Sequence, residues 1–168
     1  MGIEKWDARF AAGDHGPADP SAIVVEVSQR LSPGRALDLA CGAGRNAAYL
    51  ASQGWSVVAV DGSVEALRLT KARASVLLMN LERDRLPFDD ETFDLVCIIH
   101  FLHRPLFTEA RRVTRRGGVI VASIETTRSK MNRAYTIEPG ELRSIFGGWE
   151  ILIDREDETA RVAAKKPY

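Results

Sequence analysis

Two acidic residues frame a turn that contains two glycines: Asp38 precedes Gly42 and Gly44, and Asp61 follows them. The chain from Ala36 to Asp61 has the pattern of a strand, a glycine turn, a helix and a second, parallel strand. Glycines in such a turn let the backbone approach a ligand, and the helix start presents unpaired N–H groups to it. Asp61, at the carboxyl end of the second strand, would accept hydrogen bonds from a ribose. These residues predict a site for an adenosine-type cofactor.

Asp38 decides which cofactor the turn favours. The stretch Gly42-Ala43-Gly44-Arg45-Asn46-Ala47 also fits the dinucleotide fingerprint with alanine in its last place. A carboxylate inside the strand before the turn would repel a pyrophosphate, whereas it would orient the turn or attract an ammonium or sulfonium group. The sequence therefore favours a positively charged cofactor.

Histidines supply the candidate acid–base chemistry. His100 and His103 follow a fourth apolar run, in the crevice where the strand order of an open α/β sheet reverses, and His15 lies near the N-terminus. Each could act as a general base or orient a substrate, with His15 ranked third. The alternative is that they cap strand or loop backbone. Two histidines without a nearby carboxylate or thiolate form an incomplete metal shell, so no metal site is predicted.

Both cysteines, Cys41 and Cys97, lie in apolar, strand-associated surroundings. Cys41 could be considered a nucleophile, but it sits within the turn and has no histidine near it in sequence. A small packed side chain is the better interpretation. Two such cysteines do not form a secreted disulfide framework, which favours a reducing cytoplasm.

The elements that must position these residues alternate between strands and helices after the glycine turn. We expect a doubly wound α/β fold, with helices on both faces of a mostly parallel, seven-stranded sheet that ends in an antiparallel hairpin. Beyond the two strands around the turn, the apolar runs and breakers place strands at about Val76–Met79, Phe93–Ile99, Val119–Ile124, Trp149–Asp154 and Thr159–Lys165. Helices are expected over about Val64–Ala72, Pro105–Arg115 and Glu138–Phe146.

Residues 1–34 are expected to form an N-terminal helical lid over a Rossmann-like core at 35–168, all within one domain spanning 1–168. A short helix from Glu4 to Ala12 carries Trp6 and Arg9, and a second helix, capped by Ser21, runs to about Leu31.

Composition narrows the class of protein. With 168 residues the chain suits one domain, and its 23 basic and 23 acidic residues create no global field for nucleic acid or an anionic membrane. It contains no apolar run of the ~20 residues that a membrane span needs, and its first residues lack a signal-peptide pattern. A cytoplasmic protein with small-molecule partners is expected, and a homodimer is left open because a short lid leaves the site exposed.

The run Asp38-Leu39-Ala40-Cys41-Gly42-Ala43-Gly44, with its spacing to Asp61, resembles the cofactor-binding motif of class I S-adenosylmethionine-dependent methyltransferases. It is similar in particular to the small tellurite-resistance and thiopurine methyltransferase group. The resemblance covers nearly the whole chain. Ala40 stands where glycine is usual, and Asn80 stands where aspartate often contacts the adenine, although an amide oxygen also accepts from an exocyclic amine.

The resemblance implies S-adenosylmethionine as cofactor and S-adenosylhomocysteine as product. Trp6 and Arg9 would meet the cofactor carboxylate or cover the site, or alternatively only pack the first helix. The residues expected at the cofactor are Asp38, Ala40, Cys41, Gly42, Gly44, Asn46, Asp61, Gly62, Asn80, Leu81, His100, Trp6 and Arg9.

Three functions are compatible with these residues. The leading one is in-line transfer of a methyl group to a small-molecule acceptor, in which alignment and exclusion of water carry most of the catalysis. The alternatives are an NAD-dependent oxidoreductase, opposed by Asp38, and a non-catalytic S-adenosylmethionine-binding module, suggested by the departures at Ala40 and Asn80.

Two kinds of acceptor are disfavoured. The Asn/Asp-Pro-Pro-aromatic signature of amino-methylating nucleic-acid enzymes is replaced by His100-Phe101-Leu102-His103, and the crevice lacks the clustered carboxylates of a magnesium-assisted catechol enzyme. Thiol, metalloid anion, hydroxyl and carboxylate acceptors all remain open, as does the need for a general base.

Overall fold

A computed structural model describes residues 2–168, which fold around one seven-stranded sheet. The strands are β1 (Arg35–Leu39), β2 (Ser56–Asp61), β3 (Ser75–Leu78), β4 (Phe93–Ile99), β5 (Thr114–Glu125), β6 (Glu150–Glu156) and β7 (Thr159–Lys165). They lie in the order β3-β2-β1-β4-β5-β7-β6. Only β7 runs antiparallel to the rest, since it pairs antiparallel with both β5 and β6. This confirms the expected mostly parallel sheet with a C-terminal antiparallel hairpin.

Helices connect the parallel strands and lie on both faces of the sheet, as predicted. Two apolar clusters form, one on each face, because neighbouring strand residues point to opposite sides: Leu37 belongs to one cluster and Ala36 to the other. A parallel sheet buried on both faces reads as continuous apolar runs, which is why its strands were visible in the sequence. The helices are α1 (Ile3–Ala11), α2 (Ala22–Ser28), α3 (Arg45–Ser52), α4 (Val64–Thr70), α5 (Arg104–Val113) and α6 (Glu141–Ile145), with a 3-10 turn at Arg133–Tyr135.

Two local predictions were wrong. The Ser21 side chain does not cap α2; instead the Ser21 backbone N–H donates to Oδ1 of Asn46 at 2.8 Å, which ties the N-terminal segment to α3. β5 begins at Thr114 rather than at Val119, because the backbone at Gly117 and Gly118 pairs with that of Lys166 beyond β7 and so extends the strand.

The parallel strands β1 to β5 all end at the same edge of the sheet, the carboxyl edge, and their following loops meet there. In residues 2–168 no helix is both long and apolar enough to cross a bilayer.

Candidate active site

A cavity of about 110 Å³ opens at the carboxyl edge of the sheet, between the loops that follow β1 to β4 and the helix α1. The turn after β1 lines it with Ala40 and Gly42, and α1 lines it with Ile3, Trp6 and Phe10. The site is therefore built from the glycine turn on one side and from the N-terminal segment on the other.

The loops after β2, β3 and β4 complete the cavity. Eight of the expected cofactor residues line it, and five residues that sequence reasoning missed line it as well. The eight are Trp6, Ala40, Gly42, Asp61, Gly62, Asn80, Leu81 and His100. The five are Ile3, Phe10, Ser63, Glu82 and Phe101.

The glycine turn is held in a left-handed backbone and braced against α4. Ala40, Gly42 and Gly44 have φ values of 56°, 53° and 80°. A Cβ on Gly44 would lie 2.5 Å from Oγ1 of Thr70, so only glycine fits there. The Thr70 hydroxyl in turn donates to the Gly42 carbonyl at 3.3 Å. The turn is thus held in one conformation by α4, and its backbone faces the cavity.

Asp61 joins the turn to the start of α4. One of its carboxylate oxygens accepts the Gly42 N–H at 2.9 Å, and the other accepts the Ser63 N–H at 2.9 Å. Burial raises the pKa of Asp61, although these backbone N–H groups favour its charged form. Each oxygen keeps a second lone pair, so the carboxylate can still accept from a ligand that enters the cavity.

Asp38 lies on β1 beneath the turn and is only 1% exposed. Its Oδ2 atom has no hydrogen-bond partner within residues 2–168. Burial raises the pKa of Asp38 to about 7, and the negative charge of Asp61 adds to this effect, while the Ala47 N–H and Arg45 oppose it. An ionised Asp38 is therefore costly unless a cation approaches it.

His100 follows β4 and adopts a left-handed backbone with φ 56°. Its N–H donates to the carbonyl of Ser123 at 2.7 Å, which extends the pairing of β4 with β5 by one residue. Its side chain is half exposed, and Nδ1 lies 3.2 Å from Oε1 of Glu125, at the end of β5. Sequence reasoning missed Glu125, although it directly follows the fifth apolar run, at the edge where His100 was expected.

The helix α1 lines one side of the cavity and is held there by a few specific contacts, and none of its residues is buried. The Ser63 hydroxyl donates to the Asp7 carboxylate, and the Glu65 N–H donates to the same oxygen at 3.2 Å. The bond from Ser63 lowers the pKa of Asp7. Phe10 approaches Gly42 so closely that a Cβ there would lie 3.4 Å from Cζ of the ring. Helix α1 is therefore anchored at the start of α4 and rests on the glycine turn.

Five predicted residues do not line the cavity, namely Arg9, Asp38, Cys41, Gly44 and Asn46. Cys41 is buried, and its thiol has a raised pKa because of that burial. Asn46 is bonded to Ser21, and Arg9 forms an ion pair with Asp14 at 2.7 Å.

Two of the three histidines also lie apart from the cavity lining. The side chain of His15 contacts the Phe10 carbonyl through Nε2 at 3.3 Å, and His103 stands at the start of α5 without a capping bond from its side chain. Within residues 2–168, no group of three or more histidine, cysteine or acidic side chains is placed to hold a metal ion.

The chain resembles known methyltransferases in sequence. A family model described as a methyltransferase domain matches residues 37–122. Hemagglutinin 1 of Eikenella corrodens is 31% identical over 160 residues, covering 82% of this chain and 51% of that protein. TehB of Haemophilus influenzae, named as a probable S-adenosyl-L-methionine-dependent methyltransferase, is 28% identical over 144 residues, covering 77% of this chain and 50% of that protein. The chain thus spans about half the length of these curated relatives.

Solved structures share the fold. The crystal structure of TehB from Haemophilus influenzae superposes with a TM-score of 0.79 at 19% identity, over 87% of this chain and 62% of that one. The Burkholderia thailandensis 1,6-didemethyltoxoflavin-N1-methyltransferase, solved with 1,6-didemethyltoxoflavin and S-adenosylhomocysteine bound, gives a TM-score of 0.72 at 18% identity, over 99% of this chain and 87% of that one.

Proposed function

Because this chain belongs to the methyltransferase domain family and has the fold of the class I S-adenosylmethionine-dependent enzymes, we propose that it transfers a methyl group from S-adenosylmethionine to a small-molecule acceptor. The cofactor would bind at the cavity on the carboxyl edge of the sheet. The observation that carries this proposal is the buried Asp38 carboxylate, whose Oδ2 has no partner within residues 2–168.

Asp38 fits a cationic ligand and opposes a dinucleotide. A buried, unpaired carboxylate gains most from a positive charge nearby and would repel a pyrophosphate laid across the same turn. This favours S-adenosylmethionine over a nicotinamide cofactor. When bound, S-adenosylmethionine supplies an electrophilic methyl group on a positively charged sulfur.

Other residues around the cavity fit the rest of such a cofactor. Asp61 has lone pairs free for a ribose diol, and Asn80 and Leu81 lie where the loop after β3 could hold an adenine ring. The left-handed Gly42 presents backbone without a side chain to the cavity. His100 also lines the cavity, and we propose that the acceptor approaches beside it.

We propose that α1 acts as a lid, and the size of the cavity supports this role. A volume of about 110 Å³ is well below the ~300 to 1,000 Å³ of typical ligand sites. Phe10 and Ile3 fill the space over Gly42 and Gly62. We infer that α1 moves outward to admit the cofactor and then packs over it. This movement would break few contacts, because α1 buries none of its residues.

The proposed acceptor is a small molecule rather than a nucleic acid, because the 23 basic and 23 acidic residues balance. In-line displacement would depend on how the cavity aligns the acceptor and excludes water. A homodimer is a separate prediction, which light scattering of the purified protein would test.

The first test is calorimetric titration with S-adenosylmethionine, S-adenosylhomocysteine and NAD in parallel. We expect the first two to bind and NAD not to bind. Asp38→Asn should weaken binding of S-adenosylmethionine, and the exposed Asp19→Asn should not. Binding of NAD alone would contradict the proposal. Binding of S-adenosylmethionine without turnover of any acceptor would favour the non-catalytic module.

A further inference from the structure

Glu125 is held between His100 and Thr159 at the carboxyl edge. Its Oε1 lies 3.2 Å from Nδ1 of His100, and its Oε2 accepts the Thr159 hydroxyl at 3.1 Å. Its side chain is only 19% exposed. The hydrogen bond from Thr159 on β7 therefore holds the Glu125 carboxylate beside the imidazole.

A carboxylate at Nδ1 determines where the imidazole carries its proton. An ionised carboxylate only accepts hydrogen bonds, so it favours the tautomer with hydrogen on Nδ1 and leaves Nε2 free to accept a proton. His100 also lines the cavity. We propose that Glu125 is a positioning residue that holds His100 as this tautomer, so that Nε2 takes a proton from the methyl acceptor. The acceptor class is then a protic nucleophile, a hydroxyl, amine or thiol, and this inference rests on the proposed function.

The charges around His100 keep it able to accept that proton. Glu125 faces it from β5 and favours its charged form, whereas Arg45 from α3 and Arg161 from β7 disfavour that form. Partial removal from water at this half-buried position is the largest effect, and the net result is a pKa for His100 below its ordinary value. Neutral imidazole therefore predominates near pH 7.

The backbone at His100 supports a role beyond packing. Its φ of 56° is uncommon for a residue other than glycine. Such strained conformations are concentrated at active sites and ligand-binding sites. The bond from its N–H to Ser123 holds this conformation next to Glu125.

The acceptor gives its proton to Nε2 of His100, and the electron pair left on its oxygen, nitrogen or sulfur forms the new bond to the methyl carbon. The carbon–sulfur bond breaks and its electron pair stays on sulfur. The products are the methylated acceptor, S-adenosylhomocysteine and an imidazolium, which returns its proton to solvent.

The tautomer can be measured without an acceptor. In protein labelled with ¹⁵N-histidine, two-bond correlation spectra distinguish the nitrogen that carries hydrogen, and the chain has only three histidines to assign. We expect His100 to carry its proton on Nδ1. A proton on Nε2 instead would overturn the proposal, whatever the cofactor result, so the two proposals can fail separately.

Glu125→Gln tests the coupling, with the exposed Glu158→Gln as the matched control. Loss of the carboxylate charge should lower the pKa of His100 by about one unit, and Glu158→Gln should leave it unchanged. An unchanged His100 pKa in Glu125→Gln would overturn the role of Glu125.

Turnover tests the acceptor class. The probes are dithiothreitol, phenol and benzylamine, which carry an acidic hydrogen, and dimethyl sulfide, which does not. We expect S-adenosylhomocysteine to form with at least one protic probe and not with dimethyl sulfide. Methylation of dimethyl sulfide, or of no probe by protein that binds S-adenosylmethionine, would overturn the inferred acceptor class.

Kinetics on the active probe separate positioning from packing. Glu125→Gln should lower kcat about 10-fold with little change in KM, and the rise of kcat with pH should shift about one unit lower. A purely structural role would leave that profile in place. His100→Ala should lower kcat about 100-fold or more.

Discussion

The two edges of the parallel sheet differ in how fully their charged groups are satisfied by hydrogen bonds. At the amino edge, near the start of β4, Arg112 is only 17% exposed and every arm of its guanidinium is used. It donates to the carboxylates of Glu109 and Asp90 and to the carbonyls of Leu86 and Phe88, at 2.8 to 3.0 Å. A partly buried charge is thus fully satisfied by protein groups.

At the carboxyl edge, a buried charge lacks part of its hydrogen bonding, and the backbone is strained at two positions. Asp38 is buried with one oxygen unpartnered within residues 2–168, and Ala40 and His100 hold left-handed backbone that favours glycine. Each of these features lowers stability in the isolated protein. Ala40 and His100 line the cavity and Asp38 lies beneath its glycine turn, so this edge is called the incomplete edge. At the amino edge, the complete edge, Glu91 also has a left-handed backbone, but the partly buried charge of Arg112 is satisfied by protein groups.

The largest effect expected at the incomplete edge is a pH dependence of the free energy of unfolding. Burial raises the pKa of Asp38 from 3.8 to about 7, so the folded protein binds a proton more tightly than the unfolded chain. The Asp38 contribution should therefore lower the free energy of unfolding as pH rises from about 4 to about 7, by up to about 4 kcal/mol, and stay constant above. Urea unfolding of wild type and Asp38→Asn across this range measures the difference. A difference that is flat with pH would contradict the unpaired charge.

At the complete edge, Arg112→Met should lower the free energy of unfolding by about 3 kcal/mol, because the carboxylates and carbonyls that Arg112 binds would lose their donor. The control is Arg116→Met, whose side chain is 67% exposed and pairs with Glu91, and which should change stability by less than about 1 kcal/mol. Calorimetry of the folded variant should show unchanged affinity for S-adenosylmethionine. Weakened binding would mean that the edges are not separate in role.

Asp61→Ala and Asp94→Ala form a matched pair, since each aspartate accepts a backbone N–H and one other donor, at opposite edges. Both should lose stability. Only Asp61→Ala should lose affinity for S-adenosylmethionine, by about 2 kcal/mol or roughly 30-fold, through lost ribose bonds. Equal affinities in a calorimetric titration would remove Asp61 from the site.

The smallest effect concerns the strained backbone at Ala40. Glycine relieves the left-handed strain but loses more entropy on folding, so Ala40→Gly should raise the free energy of unfolding by about 0.5 to 1 kcal/mol. Ala59→Gly, in the regular strand β2, should lower it by about 1 kcal/mol. Thermal unfolding that gives both changes the same sign would contradict the strain.

Sequence reasoning recovered what local patterns encode. The order of strands and helices followed from apolar runs and breakers, and the structure places the predicted Gly42 and Asp61 at the cavity because the turn lies within one short stretch. It missed contacts that join distant segments. The bond between Asp7 and Ser63 spans 56 positions, and the pairing of His100 with Glu125 depends on the register of two strands, which periodicity alone does not specify.

The placement of Trp6 gives the protein a built-in optical reporter. Its indole lines the cavity and stacks on Phe10 with ring centroids 6.1 Å apart, and the Arg9 guanidinium lies 4.7 Å from its centre. The chain has two other tryptophans. Trp55 is buried in the apolar cluster that contains Ala36, and Trp149 packs on Phe146. Any ligand that displaces α1 therefore changes the emission of one indole and leaves two as an internal reference.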